Sequence, residues 1–168
     1  MNPSFQAQCR CDTPLGPLTL VATARGLAAA LFDAQAHHPG ALPLPTEPAH
    51  PHLAQAQREL AAYFDAAVPG NRIRFSVPLD PQGTAFQQQV WQTLLSIAPG
   101  ALSSYGAIAG SVGRPSAARA VGAAVGRNPV AIIIPCHRVV GSTGGLTGYA
   151  GGLPRKQALL QREGALLL

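Results

Sequence analysis

The sequence predicts an α/β protein of the α+β kind, with a small N-terminal α/β domain at residues 1–82 and a mostly helical C-terminal domain at residues 83–168. Two apolar runs flank Arg25-Gly26, which is typical of a β-hairpin and therefore of an antiparallel sheet. The polar stretch Asp80-Pro81-Gln82-Gly83 indicates a linker, and beyond it the apolar residues recur at helical spacing.

The composition indicates a globular chain, because 47% of its 168 residues are hydrophobic and only 11% are charged. No apolar run approaches the roughly 18 residues that a membrane span requires, and the polar N-terminus lacks the apolar segment of a secretion signal. Three cysteines, an odd number, argue against a disulfide framework and for a reducing compartment. We therefore expect a cytoplasmic protein without a membrane partner.

The positive charge of the chain lies in its second half. Residues 1–82 carry five arginines against six acidic residues, whereas residues 83–168 carry six arginines and one lysine against Glu163 alone. A one-sided basic module is typical of proteins that bind a polyanion such as nucleic acid, although a merely solvated basic face would have the same charges.

The rest of the first half predicts a loop, a helix and a further strand. Five prolines and four histidines crowd residues 37–52, which indicates a loop because proline disrupts helices and inner strands. A helix is predicted next and ends at Pro69-Gly70, before a half-buried strand in which apolar residues alternate. The helical stripe is Leu53, Ala56, Leu60 and Phe64, and the alternating residues are Ile73, Phe75, Val77 and Leu79.

The second half begins with a helix that starts at a capping box. Thr84 and Gln87 have the spacing at which each side chain can bond the free backbone N–H of the other. Pro99-Gly100 ends this helix. Its apolar stripe comprises Phe86, Val90, Trp91, Leu94 and Leu95.

Two short helices joined by a glycine-containing turn predict a helix-turn-helix. The first covers about residues 105–112, and Ser116 is expected to cap a second one over about residues 117–126. The second helix of such motifs usually enters a DNA groove, where small residues would allow a close approach to the DNA backbone. Arg119 is the only charged residue in its first turns. Many helical hairpins bind nothing, so the pattern alone leaves both interpretations open.

A thiol and an imidazole directly follow the most apolar segment of the chain, in "IIIPCHR" at residues 132–138. The isoleucines predict a short buried strand that ends at Pro135. The thiolate is the nucleophilic form of cysteine, and a nearby imidazole can take the proton of Cys136 directly or through one water. The imidazole of His137 then needs a carboxylate that fixes its tautomer.

Glu163 is the only acidic residue of the second half that can serve as this carboxylate. It lies at the predicted end of a helix that begins near Pro154, with Gly164 as the C-cap. An anion at that end opposes the helix dipole at a cost of about 0.3–1 kcal/mol. Because a local rule broken without local gain can mark a functional residue, we predict a relay from Glu163 through His137 and a water to Cys136.

Other interpretations of these residues stay open at this point. A cysteine after an apolar run is often a small buried hydrophobe, and a histidine beside it often only packs. A metal site built from Cys9, Cys11 and the four histidines of residues 37–52 is a further alternative. The two cysteines do not have the usual spacing of a zinc-binding pair, so we expect exposed loop histidines and no metal.

Four stretches of the second half resemble one known family. "NPVAIIIPCHRVVG" (residues 128–141) is similar to the active-site signature of the O6-alkylguanine-DNA alkyltransferases, also called methylated-DNA–protein-cysteine methyltransferases. The resemblance extends to "GTAFQQQVWQTLLSIAPGALSSYGAIA", "ARAVGAAVGRNP" and "GYAGGLPRKQALLQREG", and so covers residues 83–164 almost continuously. The first half resembles the family only through "TPLGPLTL".

The resemblance implies direct repair of double-stranded DNA that contains O6-alkylguanine, with O4-alkylthymine as a further candidate substrate. The alkylated base would be flipped out of the duplex. Its alkyl group would move to the cysteine as a stable thioether, so that each molecule acts once and needs no cofactor. The resemblance also implies a ribonuclease-H-like first domain, and a monomer whose helix-turn-helix binds the minor groove.

The resemblance also implies a role for each matching residue. Cys136 matches the acceptor thiolate, His137 the water-linked base and Glu163 the acid that orients this base. Asn128 matches the hinge between the recognition helix and the active-site strand, and Arg119 matches the finger that fills the space left by the flipped base.

The remaining implied residues surround the flipped base and the DNA. Tyr105 matches the residue that bonds the guanine and pushes the 3′ phosphate, and Tyr149 and Ala150 match the loop that closes over the base. Some members have serine in place of Ala150, but the implied contact is a backbone amide, which alanine retains. Further pocket residues are Val139, whose carbonyl and that of Cys136 would accept from the guanine amine, and Ala131 and Thr147 at the rim. Further DNA-contacting residues are Ser104, Ser116, Ala120, Gly122 and Arg127.

Three other functions compete with repair at this stage. An alkyltransferase-like binding protein would keep the fold but lack the thiol, which Cys136 argues against. A transcription regulator would prefer particular duplex sequences. A cysteine hydrolase would turn over repeatedly, whereas the implied repair reaction stops after one equivalent.

Overall fold

A three-stranded antiparallel sheet forms the centre of the N-terminal half in the computed structural model, which describes residues 2–165. Its strands are β1 (Phe5–Cys11), β2 (Leu18–Thr23) and β3 (Leu27–Phe32), arranged in the order β1-β2-β3. An antiparallel sheet followed by a mostly helical part confirms the predicted fold class.

The hairpin between β2 and β3 turns at Arg25-Gly26, as predicted. The sequence analysis missed β1, because polar residues interrupt it and only Ala7, Cys9 and Cys11 of its side chains are buried. Residue 1 and residues 166–168, at the outer ends of the two predicted domains, lie outside the described residues. The boundary between residues 82 and 83 stays a prediction.

One face of the sheet packs against α1 (Pro51–Phe64), the helix predicted from apolar spacing. The buried residue of its last turn is Tyr63, whereas the predicted Phe64 is only partly buried. The proline-rich loop lies over the other face, where Leu42 and Leu44 pack against a small cluster of sheet residues. Both faces of the sheet are therefore covered.

The strand predicted around Ile73, Phe75, Val77 and Leu79 is wrong. Burial does alternate along this extended segment, but its one bridge to the sheet joins Leu79 to Leu27. The Glu59 carboxylate of α1 instead accepts the backbone N–H groups of Ser76 and Val77, at 3.0 and 3.1 Å. A side chain thus takes the place of a neighbouring strand, which the alternating pattern could not indicate.

Within residues 83–165 the structure contains four α-helices and a two-stranded parallel sheet. The helices are α2 (Ala85–Leu94), α3 (Tyr105–Ser111), α4 (Ala118–Gly126) and α5 (Leu153–Arg162), and the strands are β4 (Ser103–Ser104) and β5 (Val139–Val140). Helices α3 and α4 form the predicted helix-turn-helix, and both pack against α2.

The capping box at α2 is present as predicted: Gln87 N–H donates to the Thr84 hydroxyl at 3.2 Å, and Thr84 N–H donates to the Gln87 side chain at 2.9 Å. The buried stripe ends one residue earlier than predicted, since Leu95 is exposed. The predicted cap of α4 is wrong. Ala117 is its N-cap, without a side-chain bond, because the preceding turn closes between Ala117 N–H and the Arg114 carbonyl at 2.8 Å.

The two halves share one hydrophobic core and meet along β3. Ala30 forms a parallel bridge with Val130, and the residues on either side of Val130 exchange two backbone hydrogen bonds of 2.9 Å with Ala30. Ala36 N–H donates to the Ala150 carbonyl at 2.9 Å. The edge of β3 therefore holds in place the segment that leads from α4 to Cys136.

We expect Thr84→Ala to lower the free energy of unfolding by about 1 kcal/mol, because it leaves the backbone N–H of Gln87 without its partner. Urea denaturation followed by circular dichroism would measure the change. Thr93→Ala is the matched control, since the Thr93 hydroxyl only bonds the Gln89 carbonyl of its own helix at 2.9 Å. That variant should change the free energy by less than about 0.5 kcal/mol. Equal losses in the two variants would contradict a capping role for Thr84.

Candidate active site

Cys136 opens a one-turn 3₁₀ helix, Cys136–Arg138, at the end of a chain of tight turns. The buried strand predicted for residues 132–134 is wrong, although the three isoleucines are buried as expected. Ile132 has φ of 71°, a left-handed conformation that a β-branched residue rarely adopts, and Cys136 N–H bonds the Ile134 carbonyl at 2.8 Å. Such strain persists only where the surroundings impose it, and it is common near active sites.

Asn128 links the end of α4 to these turns and to the thiol. Its side-chain oxygen accepts from Val130 N–H at 3.0 Å, and its amide nitrogen lies 2.9 Å from the Ile134 carbonyl. The same nitrogen lies 3.0 Å from the sulfur of Cys136. The side chain thus holds both the strained turn and the reactive atom, in the position expected of a hinge.

The carboxylate of Glu163 lies against the imidazole of His137, as the predicted relay requires. Nε2 of His137 is 3.0 Å from Oε1 of Glu163, and both side chains are fully buried. Because a carboxylate only accepts, Nε2 carries the proton, and the neutral ring presents a lone pair at Nδ1. Nδ1 has no hydrogen-bond partner among the described residues and can therefore accept a proton.

Two further donors, which the sequence analysis missed, hold the same carboxylate. Arg138 approaches side-on, with Nε 2.8 Å from Oε2 and Nη2 2.8 Å from Oε1. The hydroxyl of Tyr63, from α1, donates to Oε1 at 2.9 Å. Burial by itself would raise the pKa of Glu163, but the hydrogen bonds and charges of His137 and Arg138 lower it to about 2. These donors offset the unfavourable position of Glu163 at the end of α5.

Both members of the Cys–His pair are neutral at rest. Burial raises the pKa of the Cys136 thiol, although the hydrogen bond from Asn128 and the charge of Lys156 act against this rise. Burial lowers the pKa of His137, although the hydrogen bond and charge of Glu163 oppose this. The thiolate therefore forms only when its proton is passed on.

Lys156, the single lysine of the chain, is a third residue of the site that was not predicted from the sequence. It is fully buried in α5, and its Nζ donates to the carbonyls of Val139, Thr147 and Gly148 at 2.5, 2.7 and 3.2 Å. Burial lowers the pKa of Lys156 to about 8, so it remains charged at neutral pH. One ammonium group thus holds the loop around residues 147–148 against β5, and its isolated position in the sequence offered no signal for this.

A cavity of about 210 Å³ opens beside the sulfur of Cys136. Two lining residues, Ala36 and His37, come from the N-terminal half and were not predicted. Burial raises the pKa of Tyr149, whose hydroxyl has no partner among the described residues. The other lining residues are Tyr105, Gly122, Val125, Gly126, Cys136, Gly148, Tyr149 and Ala150.

Three predicted pocket residues do not line this cavity. Ala131 is buried in the turn before Ile132, and Val139 is buried in β5 with its carbonyl accepting from Lys156. Thr147 is exposed and accepts the Tyr105 hydroxyl at its carbonyl, at 3.2 Å. They therefore belong to the layer that supports the cavity wall.

The residues predicted to contact DNA lie on or beside the helix-turn-helix. Arg119, Ala120, Ser116 and Arg127 are exposed. Ser104 is the N-cap of α3, where its hydroxyl accepts from Ala107 N–H at 3.1 Å. Gly122 faces the ring of Tyr105, which an added Cβ would meet at 3.7 Å, an ordinary van der Waals contact. Arg119 and Arg127 are thus the two exposed cations among these residues.

Cys9 and Cys11 are buried in β1, where burial raises the pKa of Cys9 to about 11. Within residues 2–165, no three His, Cys, Asp or Glu side chains are grouped so that they could hold a metal ion. None of the helices in that part of the chain is long and apolar enough to cross a membrane.

Two family models together match most of the chain. Residues 85–165 match the model described as "6-O-methylguanine DNA methyltransferase, DNA binding domain". Residues 10–81 match the model described as "6-O-methylguanine DNA methyltransferase, ribonuclease-like domain". The second match fits the predicted fold class of the N-terminal half.

Curated relatives and solved structures agree with these matches. The chain is 48% identical over 157 residues to a methylated-DNA–protein-cysteine methyltransferase of Mycobacterium leprae, which covers 92% of this chain and 91% of that protein. It is 47% identical over 152 residues to one of Mycobacterium bovis, covering 90% and 88%. The crystal structure of Mycobacterium tuberculosis OGT in complex with DNA has a TM-score of 0.83 at 43% identity, covering 95% of this chain and 93% of that one.

We expect the Glu163 carboxylate to contribute stability that is lost in acid. Its folded pKa of about 2 lies below the unfolded value of about 4.3, so the contribution, about 3 kcal/mol, is complete above pH 4.3 and disappears as the pH falls toward 2. Urea unfolding of wild type and Glu163→Gln from pH 7 to pH 3 should therefore give free-energy differences that shrink with acidification. Glu47→Gln, at an exposed position, should follow the wild type throughout. A constant difference between wild type and Glu163→Gln would contradict the buried ionised carboxylate.

Proposed function

Since the chain belongs to the 6-O-methylguanine DNA methyltransferase family, we propose that it transfers the alkyl group of O6-alkylguanine in DNA to Cys136. It is an enzyme of the methylated-DNA–protein-cysteine methyltransferase class and acts in DNA repair. The observation that carries the proposed chemistry is a cysteine at the wall of a cavity, with a buried imidazole–carboxylate pair beside it.

The proposed reaction is a displacement at the alkyl carbon. The sulfur of Cys136 attacks this carbon, the S–C bond forms as the C–O6 bond breaks, and the electron pair of the broken bond leaves with the guanine. The guanine takes up one proton from water, and the imidazolium formed from the thiol proton later returns one proton to water, so that the protons balance. The thiol proton passes to Nδ1 of His137, directly or through a water, while Glu163 stabilises the imidazolium that results. Because the thiol of Cys136 and the imidazole of His137 both start neutral, the thiolate forms only during the displacement.

The product explains the proposed single turnover. A thioether has no good leaving group, so the alkyl group stays on Cys136 and the site is used once. The sulfur accepts the group that a cofactor would otherwise carry, and the mechanism accordingly invokes none. Asn128, which bonds both the sulfur and the end of the preceding turn, is the proposed hinge that registers this change.

We propose that α4 enters the minor groove and that the alkylated base is flipped into the cavity. Arg119, exposed in the first turn of α4, would fill the gap left in the duplex, since a planar guanidinium both stacks and donates hydrogen bonds. The alkylated guanine pairs poorly, which lowers the cost of unpairing. Contacts to the DNA backbone are assigned to Ser104, Ser116, Ala120, Gly122 and Arg127.

The base would lie between Tyr105 and the loop at Tyr149 and Ala150, all of which line the cavity. The Val139 carbonyl already accepts from Lys156, but a carbonyl has a second lone pair for the guanine amine. Ala131 and Thr147, which lie behind or beside the wall, would set the size of alkyl group that fits. O4-alkylthymine remains a second proposed substrate, and we expect a cytoplasmic monomer.

The site argues against the competing functions. A binding protein of this fold would have no use for the thiol of Cys136 in the cavity wall. A regulator would need several side chains that read base edges, whereas apart from Arg119 the exposed residues of α4, Ala120 and Ala123, are small. A cysteine hydrolase would need donors placed to stabilise an oxyanion, and the polar groups around this thiol instead hold the loop and the relay.

Incubation with duplex DNA containing O6-methylguanine should add one methyl group per protein molecule, in place of the thiol proton. Intact-mass measurement followed by peptide mapping should locate it on Cys136, with Cys9 and Cys11 unmodified as internal controls. Cys136→Ser should gain no methyl group but should keep its affinity for the DNA in a gel shift. Methylation elsewhere, or repeated turnover, would overturn the proposed function.

Arg119→Ala should slow transfer from duplex DNA by at least about tenfold, because unstacking a base costs a few kcal/mol that the wedge offsets. Reaction with the free base O6-methylguanine should be nearly unchanged, since no duplex is opened. Single-turnover rates on the two substrates would measure the ratio. Arg58→Ala, at an exposed arginine of α1, should leave both rates unchanged. Equal slowing on both substrates would exclude a wedge role for Arg119.

A further inference from the structure

Tyr63 is the residue through which the N-terminal half reaches the relay. It lies in α1, it is buried, and its hydroxyl donates to Oε1 of Glu163 at 2.9 Å across 100 positions of sequence. We propose that Tyr63 is a positioning residue for alkyl transfer, which fixes the Glu163 carboxylate and limits how strongly that carboxylate draws a proton onto His137. The inference rests on the proposed function, because it concerns the same relay.

Tyr63 can affect His137 because both residues donate to the same oxygen of Glu163. Oε1 of Glu163 accepts from Tyr63 at 2.9 Å, from Nε2 of His137 at 3.0 Å and from Nη2 of Arg138 at 2.8 Å. Each donor takes up part of the negative charge of that oxygen. The hydroxyl of Tyr63 therefore weakens the pull of the carboxylate on the imidazole without adding a charge of its own.

Several contacts fix the position of the Tyr63 side chain, so its hydrogen bond to Glu163 is a defined part of the packing between the two halves. Its ring meets Phe64 edge-on with centroids 5.0 Å apart, and Phe75 at 5.6 Å. Its backbone carbonyl accepts from Nε of Arg162 at 2.9 Å. Burial, together with the charge of Glu163, raises the pKa of Tyr63, so the hydroxyl stays a donor throughout the working range.

The direction of the effect follows from the role of His137 as a base. Glu163 raises the pKa of His137, and an imidazole that is already protonated cannot take the thiol proton. By restraining that rise, Tyr63 keeps the imidazole neutral at lower pH. Loss of the hydroxyl should move the acid limb of the rate profile to higher pH.

The other charged and titratable groups around the relay are the same in a Tyr63 variant. From the 3₁₀ turn these are Cys136 and Arg138, and from the loop before α5 Tyr149. From α5 itself they are Lys156 and Arg162. A shift of the acid limb in Tyr63→Phe would therefore report the missing hydroxyl.

The test compares wild type and Tyr63→Phe, which keeps the ring and so its packing. Single-turnover methyl transfer from duplex O6-methylguanine is measured from pH 5 to pH 9. The acid limb should move to higher pH by about 0.5–1 unit in the variant, the size expected for the loss of one hydrogen bond of ordinary strength. The affinity for DNA should be unchanged. An acid limb that stays in place while the melting temperature falls would reduce Tyr63 to a packing residue and overturn the proposal.

Carboxamidomethylation of Cys136 by iodoacetamide, followed by peptide mass, gives a second readout that needs no DNA. It should show the same upward shift. If the wild type transferred no methyl group but this profile still shifted, the proposed function would fail while the role of Tyr63 in the relay stood. If methyl transfer occurred and neither profile shifted, only the role of Tyr63 would fail.

Arg155→Gln is the matched control for a loosened interface between the two halves. Nε of Arg155 bonds the Leu15 carbonyl at 2.8 Å, and its guanidinium lies 4.4 Å from the centroid of the Phe32 ring, without a bond to Glu163. This variant should melt at a lower temperature with an unshifted acid limb. In a Glu163→Gln background, Tyr63→Phe should cause no further shift. A shift in Arg155→Gln, or a persistent one in the double variant, would overturn the proposal.

Discussion

The rest of this site depends on the hydrogen bonds that the buried carboxylate of Glu163 accepts. It accepts from Tyr63, His137 and Arg138 and so joins α1, the 3₁₀ turn that carries the thiol, and α5. An unpaired carboxylate buried at this position would cost several kcal/mol. Glu163 can therefore stay ionised there only because these partners donate to it. We therefore expect removal of Tyr63 or Arg138 to alter both the stability of the fold and the basicity of His137.

Reactivity at Cys136 comes from its neighbours and not from exposure of the sulfur. The thiol is almost fully buried, which by itself suppresses ionisation. The Asn128 amide at 3.0 Å and the ammonium of Lys156 act in the opposite direction, and the neutral imidazole can accept the proton. In the proposed mechanism the thiol therefore rests protonated, and its proton transfer becomes useful only when a substrate carbon has entered the cavity.

The N-terminal half takes part in the site at three places. The edge of β3 holds the segment before the thiol through Ala30, the loop at Ala36 and His37 lines the cavity, and Tyr63 bonds the relay. Each contact joins residues about 100 positions apart or more. The cavity and the relay are thus properties of the assembled chain, although the thiol, the imidazole and the carboxylate all come from the second half.

The sequence by itself determined the features that depend on residues close to one another in the chain. The hairpin at Arg25-Gly26, the capping box of Thr84 and Gln87, and the helix-turn-helix all follow from local backbone geometry and apolar spacing. The pairing of Glu163 with His137 was predicted as well, because only one carboxylate was available in that half and it stood at the unfavourable end of its helix.

Only the tertiary structure decided which distant groups complete these local features. The segment with Phe75 alternates like a strand, but Glu59 takes the N–H groups of Ser76 and Val77, and only Leu79 bridges to the sheet. The isoleucines before Cys136 look like a strand, but the bridge at β3 and the Asn128 side chain impose turns on them. Arg138, Tyr63 and Lys156 carry no local signal, since a buried charge is stabilised by partners that folding alone brings within hydrogen-bonding distance.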